Sequence, residues 1–407
     1  MKSNRPNSSL IALMLLAAAV VPANGADPVL QRGTPQAMPD VAKPPYLSPI
    51  VDPVFGTKVT RISGDAGSPI RNLDGKWGQV VRHHYSKDQA WNADMSMLVL
   101  TRHKGKPNPL FLDGRTYEPL FTIRLPGEAR WHPTDPDVML YVRDNRIGRF
   151  DVRTGKDETI VTVEGYSQFR LMSEGNFSYD GTRVAVAAKD PEGLIVAFAC
   201  DLRNHVKYPD IDLSAMPSID WVSISALGQY VVVNGNHNGR NHRGGLDQTR
   251  VFDLQGQPVG PLWENYGEPS HYDLTVDQSG DEVAVGNSKS GVNSGKLIMR
   301  RLRDGLITVV NSESASHTSA RNYRRHGWAY ATCGDDKGVF RNEIIAVKLD
   351  GSLQVERLCH MHLIRAGYDS EGHASVSPDG THVIWNSNWD DKEGDISVYV
   401  AEIHPRD

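Results

Sequence analysis

Fifteen histidines and three cysteines are the residues of this chain best suited to hold a metal or move a proton. One set combines His317, Cys333, Cys359 and His373, with His360 or His362 as substitutes. Two thiolates and two imidazoles make a closed tetrahedral zinc site, the kind that is usually structural. Their spacing matches no short zinc motif. A Cys333–Cys359 disulfide is the competing arrangement in an oxidising compartment, and plain free thiols are the third. The odd cysteine count leaves at least one thiol free or ligating. Cys200 ends the apolar run Val196-Ala-Phe-Ala-Cys200 and reads as an inert core residue.

A second set holds His83 or His84, His103, His271, Tyr272, Arg240, Arg243 and Arg321, with Trp221 beside it. Imidazole and phenol groups pass protons in general acid–base catalysis, so His83, His103, His271 and Tyr272 are the candidate catalytic groups. Guanidinium forks clamp a carboxylate or sulfate through paired hydrogen bonds. Arg240, Arg243 and Arg321, together with His84 and Trp221, are therefore the expected ligand contacts. The stretch Asn236 to Gly245 is basic and glycine-rich, as suits a rim loop over an anionic ligand.

These residues lie far apart in the chain, and a repeat is what gathers them. A turn followed by a short apolar strand recurs seven times. Tyr179-Asp-Gly-Thr-Arg-Val-Ala-Val, Gln278-Ser-Gly-Asp-Glu-Val-Ala-Val and Pro378-Asp-Gly-Thr-His-Val-Ile-Trp are the clearest copies. Gly and Asp permit the tight hairpins, and the β-branched run that follows suits a pleated, buried surface. Seven units of about 40–55 residues predict an all-β, seven-bladed β-propeller of four-stranded antiparallel blades. In such a blade the start of the first strand and the end of the second share a rim. That rule brings most of the histidines to one rim and leaves mainly Asp-Gly turns on the other. The last unit is short of one strand, and Thr57-Lys-Val-Thr-Arg-Ile-Ser is expected to supply it and close the ring.

The ends of the sequence bound its setting. Lys2 and Arg5, the apolar run Leu10 to Val21 and small residues near Ala26 read as a signal peptide over residues 1–25. A proline-rich extended arm over 26–54 follows, then the propeller over 55–407. The chain is thus expected to be secreted or periplasmic, without a membrane span, and monomeric. Losing Lys2 and Arg5 takes the net charge from -5 to -7, which argues against nucleic acid or anionic membrane as partners.

Several motifs resemble those of propeller-fold polysaccharide lyases. Arg82-His-His-Tyr-Ser-Lys-Asp-Gln-Ala-Trp-Asn-Ala-Asp, Gly267-Glu-Pro-Ser-His-Tyr-Asp, His317-Thr-Ser-Ala-Arg-Asn and Gly327-Trp-Ala-Tyr look like motifs of the short-type ulvan lyases. Gly372-His-Ala-Ser-Val-Ser-Pro-Asp-Gly is similar to the oligogalacturonate lyases, which share the fold. The resemblance implies β-elimination on an acidic polysaccharide or oligosaccharide containing uronic acid. A cation neutralises the carboxylate, a base removes the C5 proton, and an acid protonates the leaving O4. On the ulvan-lyase pattern His83 and His103 act in catalysis, Arg321 or Arg240 neutralises the carboxylate, and zinc is structural. Tyr272 is the candidate for a tyrosine sharing the acid–base work. On the oligogalacturonate-lyase pattern several histidines and a glutamine hold a catalytic divalent metal, but a single histidine, His373, stands where that group tends to have a His-x-His pair. A propeller that binds a glycan or protein without catalysis is the alternative class. Absence of paired rim carboxylates and of a Gly-x-Ser-x-Gly elbow disfavours hydrolysis.

Overall fold

The computed structural model describes Met1 and residues 33–404, apart from 105–107, 215, 217–218, 236–248, 264–266 and 335–337. The strands form antiparallel sheets that succeed one another as seven blades of a propeller. Blade two is typical: Glu128–Trp131, Val138–Arg143, Arg146–Asp151 and Asp157–Thr162 pair in chain order. Blades five and six repeat that four-strand order, from Ser270–Val276 to Ile307–Asn311 and from His317–Ser319 to Val355–His360. No described helix is long and apolar enough to cross a membrane.

The alternating residues of each strand feed two different cores. Val283 and Val285 in blade five pack with Ala329, Ala331 and Ile345 of blade six. Ala284, between them, points the other way and packs with Trp221 and Val232 of blade four. Both faces of a blade are thus buried, which is why the strands read as near-continuous apolar runs. The repeated turn is held by its own side chains. Asp180 Oδ1 accepts from Ser178 Oγ (2.6 Å) and from Thr182 N (3.0 Å), around Gly181 at φ 71°. Asp379 does the same for Ser377 and Thr381 in blade seven.

The ring closes as expected, with one addition. Lys58–Arg61 pairs antiparallel with Ser397–Glu402, aligning Val59 with Ala401 and Thr60 with Val400. Ile50–Val51 then adds a fifth, edge strand, so part of the arm belongs to the sheet. Asp52, next in line, accepts from the backbone N–H of His360 at 2.8 Å and ties that hairpin to blade six.

Blade one departs from the repeat, and this departure builds the centre of the molecule. Its innermost stretch, Ser86 to Asn92, is buried but makes no regular inner strand. It reaches across the axis instead. Gln89 Nε2 donates to the carbonyls of Arg321 and Val376, Ser375 Oγ donates to Asp88 O, and Asn176 Nδ2 donates to Lys87 O. Nearby, Arg321 is buried against Asp273, with Nη2–Oδ1 at 2.6 Å and Nε–Oδ2 at 2.9 Å.

Two outcomes follow from this architecture. Deleting residues 50–61 should lower the melting temperature by at least about 5 °C or prevent folding, because it leaves an open seam; an unchanged melting curve would rule the closure out. Arg321→Met should cost about 3–5 kcal/mol in chemical denaturation by stranding Asp273 without its cation.

Candidate metal centre

Three blades contribute the beginnings of their inner strands to one spot on the rim. His271 opens blade five, His317 opens blade six, and His373 precedes the inner strand of blade seven, Ser375–Val376. The ring centroids of His271 and His317 are 4.8 Å apart, and those of His317 and His373 are 4.3 Å apart. Glu371 completes the group. Its Oε2 lies 3.7 Å from Nε2 of His317 and 3.7 Å from Nε2 of His373. Among the described residues, His317, Glu371 and His373 are the three whose ligand atoms lie close enough, within 4.8 Å of one another, to share one ion.

The backbone is bent to make this arrangement. His271 and His373 sit at φ 49° and 50°, in the left-handed region that non-glycine residues seldom adopt. Such strain persists where the surroundings over-determine it, as they do at functional sites. Gly372, at φ 78°, precedes His373; a Cβ there would meet Thr332 Cγ2 at 2.9 Å. Arg82 holds the imidazole of His373 from outside, with Nη2 at 3.2 Å from Nδ1 while Nη1 pairs with Asp369 at 2.8 Å. His271 Nδ1 donates to the Ser316 carbonyl at 2.9 Å, which leaves Nε2 with its lone pair, 3.3 Å from Lys289 Nζ.

Burial governs the charge of these groups. It pushes the pKa of His317 and His373 far below the ordinary imidazole value, and that of His271 down to about 4. It lowers the pKa of Lys289 as well. The imidazoles are therefore neutral and hold lone pairs for a ligand. Nδ1 of His317 and Nε2 of His373 are buried with no hydrogen-bond partner in the structure. The group borders a cavity of about 680 Å³ between blades five and six, whose walls include Lys289, Arg365, Ser314 and Phe340.

The four-residue zinc set divides. Only its histidines join the centre. Cys333 packs into the core between blades five and six, and Cys359 into the one between six and seven. Both are free and buried, and burial raises both thiol pKa values, so neither forms the disulfide nor offers a thiolate. The substitutes are engaged elsewhere: His360 Nδ1 lies 3.0 Å from Asp52 Oδ2, and His362 Nδ1 lies 2.7 Å from Asp390 Oδ2. Cys200 is a buried core residue, as expected.

The second set also divides. His271 reaches the centre. Tyr272 points the opposite way into the core, where its hydroxyl is 3.1 Å from both Thr249 Oγ1 and Asn234 Oδ1. It is engaged inside the core between blades four and five rather than at the rim, so it is not a rim acid. Arg321 is consumed by Asp273 and cannot clamp a ligand. Trp221 lies buried beneath Lys87, whose Nζ is 3.9 Å from its ring centroid. His103 is buried, accepts from Gly78 N at 2.8 Å and meets the edge of Trp77, which makes it a scaffold residue. His83 and His84 border a different cleft, between blades one and two. Arg240 and Arg243 lie outside the described residues.

Sequence reasoning passed over Glu371 and Tyr85. Glu371 stands two residues before His373, where a His-x-His pair would have its first histidine. A search for histidine alone missed it; reading that position for any ligating side chain would have found it. Tyr85 immediately precedes the crossing segment of blade one, and its ring centroid is 5.3 Å from His317 and 5.2 Å from His373. Tyr368 shares the rim as well, with its ring centroid 4.8 Å from that of His373.

No protein-family model matches the chain, and no curated protein matches it by sequence. Solved structures do match. The chain is similar to an oligogalacturonate lyase from Vibrio parahaemolyticus, at 14% identity and a TM-score of 0.58 over 88% of this chain and 96% of that one. It is equally similar to oligogalacturonate lyase in complex with manganese, at 15% identity and a TM-score of 0.58 over the same shares. The ulvan-lyase resemblance finds no support among these neighbours. At such identities the likeness establishes a common fold: this chain is a seven-bladed propeller of the architecture found in oligogalacturonate lyase.

Proposed function

We propose that the protein is an exported, metal-dependent lyase that cleaves a uronic-acid-containing oligosaccharide by β-elimination. The observation that carries this reading is the meeting of His317, Glu371 and His373 beside a groove lined by Lys289 and Arg365. Export rests on the apolar N-terminal segment alone.

The residues fit a divalent ion. Ligands about 2.1 Å from one cation stand roughly 3–3.5 Å from each other, close to the 3.7 Å found here. His373 Nε2, buried without a hydrogen-bond partner and 3.7 Å from Glu371 Oε2, gains the partner it lacks. Coordination through His373 Nε2 needs the proton on Nδ1, so the Arg82 contact must lengthen; Arg82 keeps Asp369 and the His84 carbonyl as partners. Imidazole and carboxylate suit harder ions better than thiolate does, so manganese takes precedence over zinc as the first ion to test. A cation held there would draw charge from the uronate carboxylate and so acidify the C5 proton.

The remaining steps belong to side chains. Lys289 and Arg365 draw a polyanion into the groove. His271 offers its Nε2 lone pair to the C5 proton, with its tautomer fixed by the Ser316 carbonyl. Tyr85 stands beside both metal-binding imidazoles and is placed to protonate O4 as the C4–O4 bond breaks. The product carries a C4=C5 double bond conjugated with its carboxylate.

Absorbance at about 235 nm, where such a conjugated uronate absorbs, tests the reaction against oligogalacturonate, pectate, ulvan, alginate and glycosaminoglycans. A rise with one of them identifies substrate and chemistry together. A flat trace across the panel, with bound metal verified, moves the reading to a glycan-binding propeller. Chelation should remove at least about 90% of the activity, with recovery on adding Mn²⁺, and shift the melting temperature by only a few degrees. His317→Ala should lose the metal by elemental analysis and about 100-fold in kcat. Collapse of the fold on chelation would point back to a structural metal.

A further inference from the structure

A second cavity, of about 350 Å³, opens between blades one and two and is bordered by His83, His84, Thr101, Arg102, Arg130 and Trp131. It neighbours the metal centre. Arg82 Nη2 lies 2.9 Å from the His84 carbonyl and 3.2 Å from His373 Nδ1, so the two sites stand on either side of one guanidinium.

Two carboxylates, Asp88 and Glu128, face two guanidiniums, Arg102 and Arg130, in this cleft, but they do not all pair with one another. Asp88 is answered by Arg130 Nε at 2.8 Å and by the imidazole of His84. Glu128 accepts from the backbone N–H groups of Leu171 and Ser173. Arg130 is further used by the carbonyls of Ala129 and Ser173. Arg102 alone among these cations has no carboxylate partner among the described residues; its guanidinium is exposed and touches only His84 Nε2, at 3.2 Å. A second observation points to a ligand. His83 is 1% exposed and borders the cleft, and its ring nitrogens make no well-formed hydrogen bond, only looser approaches to the backbone of His373 and Tyr85. Buried polar groups left so are rare, because each forfeits its hydration without compensation. The remaining walls, among them Val99, Leu125 and Met139, are apolar and suit the C–H face of a sugar ring.

We propose that the cleft between blades one and two is a second sugar subsite, in which Arg102 pairs with the carboxylate of a uronate unit and His83 bonds one of its hydroxyls. The assignment rests on the lyase reading for its substrate class. It makes the enzyme a reader of chain length: the unit at the metal centre is cleaved while a neighbouring acidic unit is held across Arg82.

The test uses the full protein and Arg102→Gln, a change at an exposed side chain. With saturated trigalacturonate as the probe, calorimetry should show binding weakened about tenfold or more in the variant, the loss of one charge-assisted hydrogen bond. The methyl-esterified trimer, which has no carboxylate charge, should bind wild type and variant alike. His317→Ala should keep the Arg102 dependence, since the subsite does not use that imidazole. If trigalacturonate binds but no polymer is cleaved, an Arg102-dependent affinity still upholds the subsite while the lyase reading falls. Equal affinity of wild type and variant for the charged trimer, or an equal loss for the esterified one, overturns the proposal.

Discussion

Burial of both faces of every blade is the constraint from which the rest of the structure follows. Val283, Ala284 and Val285 show it over three residues, since neighbours in one strand belong to cores on opposite sides of the sheet. A blade built this way cannot end in solvent, so the first and last blades must find each other. The four backbone pairs between Lys58–Arg61 and the last strand meet that demand. The rim centre depends on it in turn, because His373 is contributed by the blade that the closure completes.

The second organising feature is the crossing segment of blade one. Its regular inner strand is given up, and its amide and carbonyl groups are satisfied by Asn176, Arg321, Ser375 and Val376 from three other blades. The exchange places Tyr85 against two histidines and Lys87 over Trp221. Groups 89 to 287 residues apart in sequence are thereby joined by hydrogen bonds whose donors and acceptors are buried.

Much of this was legible in the sequence. The turn Tyr/Pro-Asp-Gly-Thr carries its own hydrogen-bonding chemistry, so blade number, order and closure could be read from local patterns. Rim membership followed from topology, and His271, His317 and His373 met as that rule requires. Side-chain direction did not follow. Tyr272 is adjacent to His271, and strand alternation sends the two to opposite faces, one to the groove and one to the core. Arg321 looked like a ligand clamp because its partner, Asp273, lies in the previous blade and is invisible to a reading of local sequence. Cys333 and Cys359 reached the right part of the propeller but fell in separate blade–blade cores. Glu371 was missed because ligand patterns were sought in histidine and cysteine.

The closing strand has a consequence for how the chain is made. Residues 58–61 leave the ribosome long before their partners, residues 399–402. Until that later strand emerges the early one has nothing to pair with, and no intermediate of fewer than seven blades can complete the ring. Contacts of such separation slow folding, since the intervening loop must be ordered before the pairing rewards it. The molecule is therefore timed by its own topology: the ring stays open until the strand Ser397–Glu402 has been made.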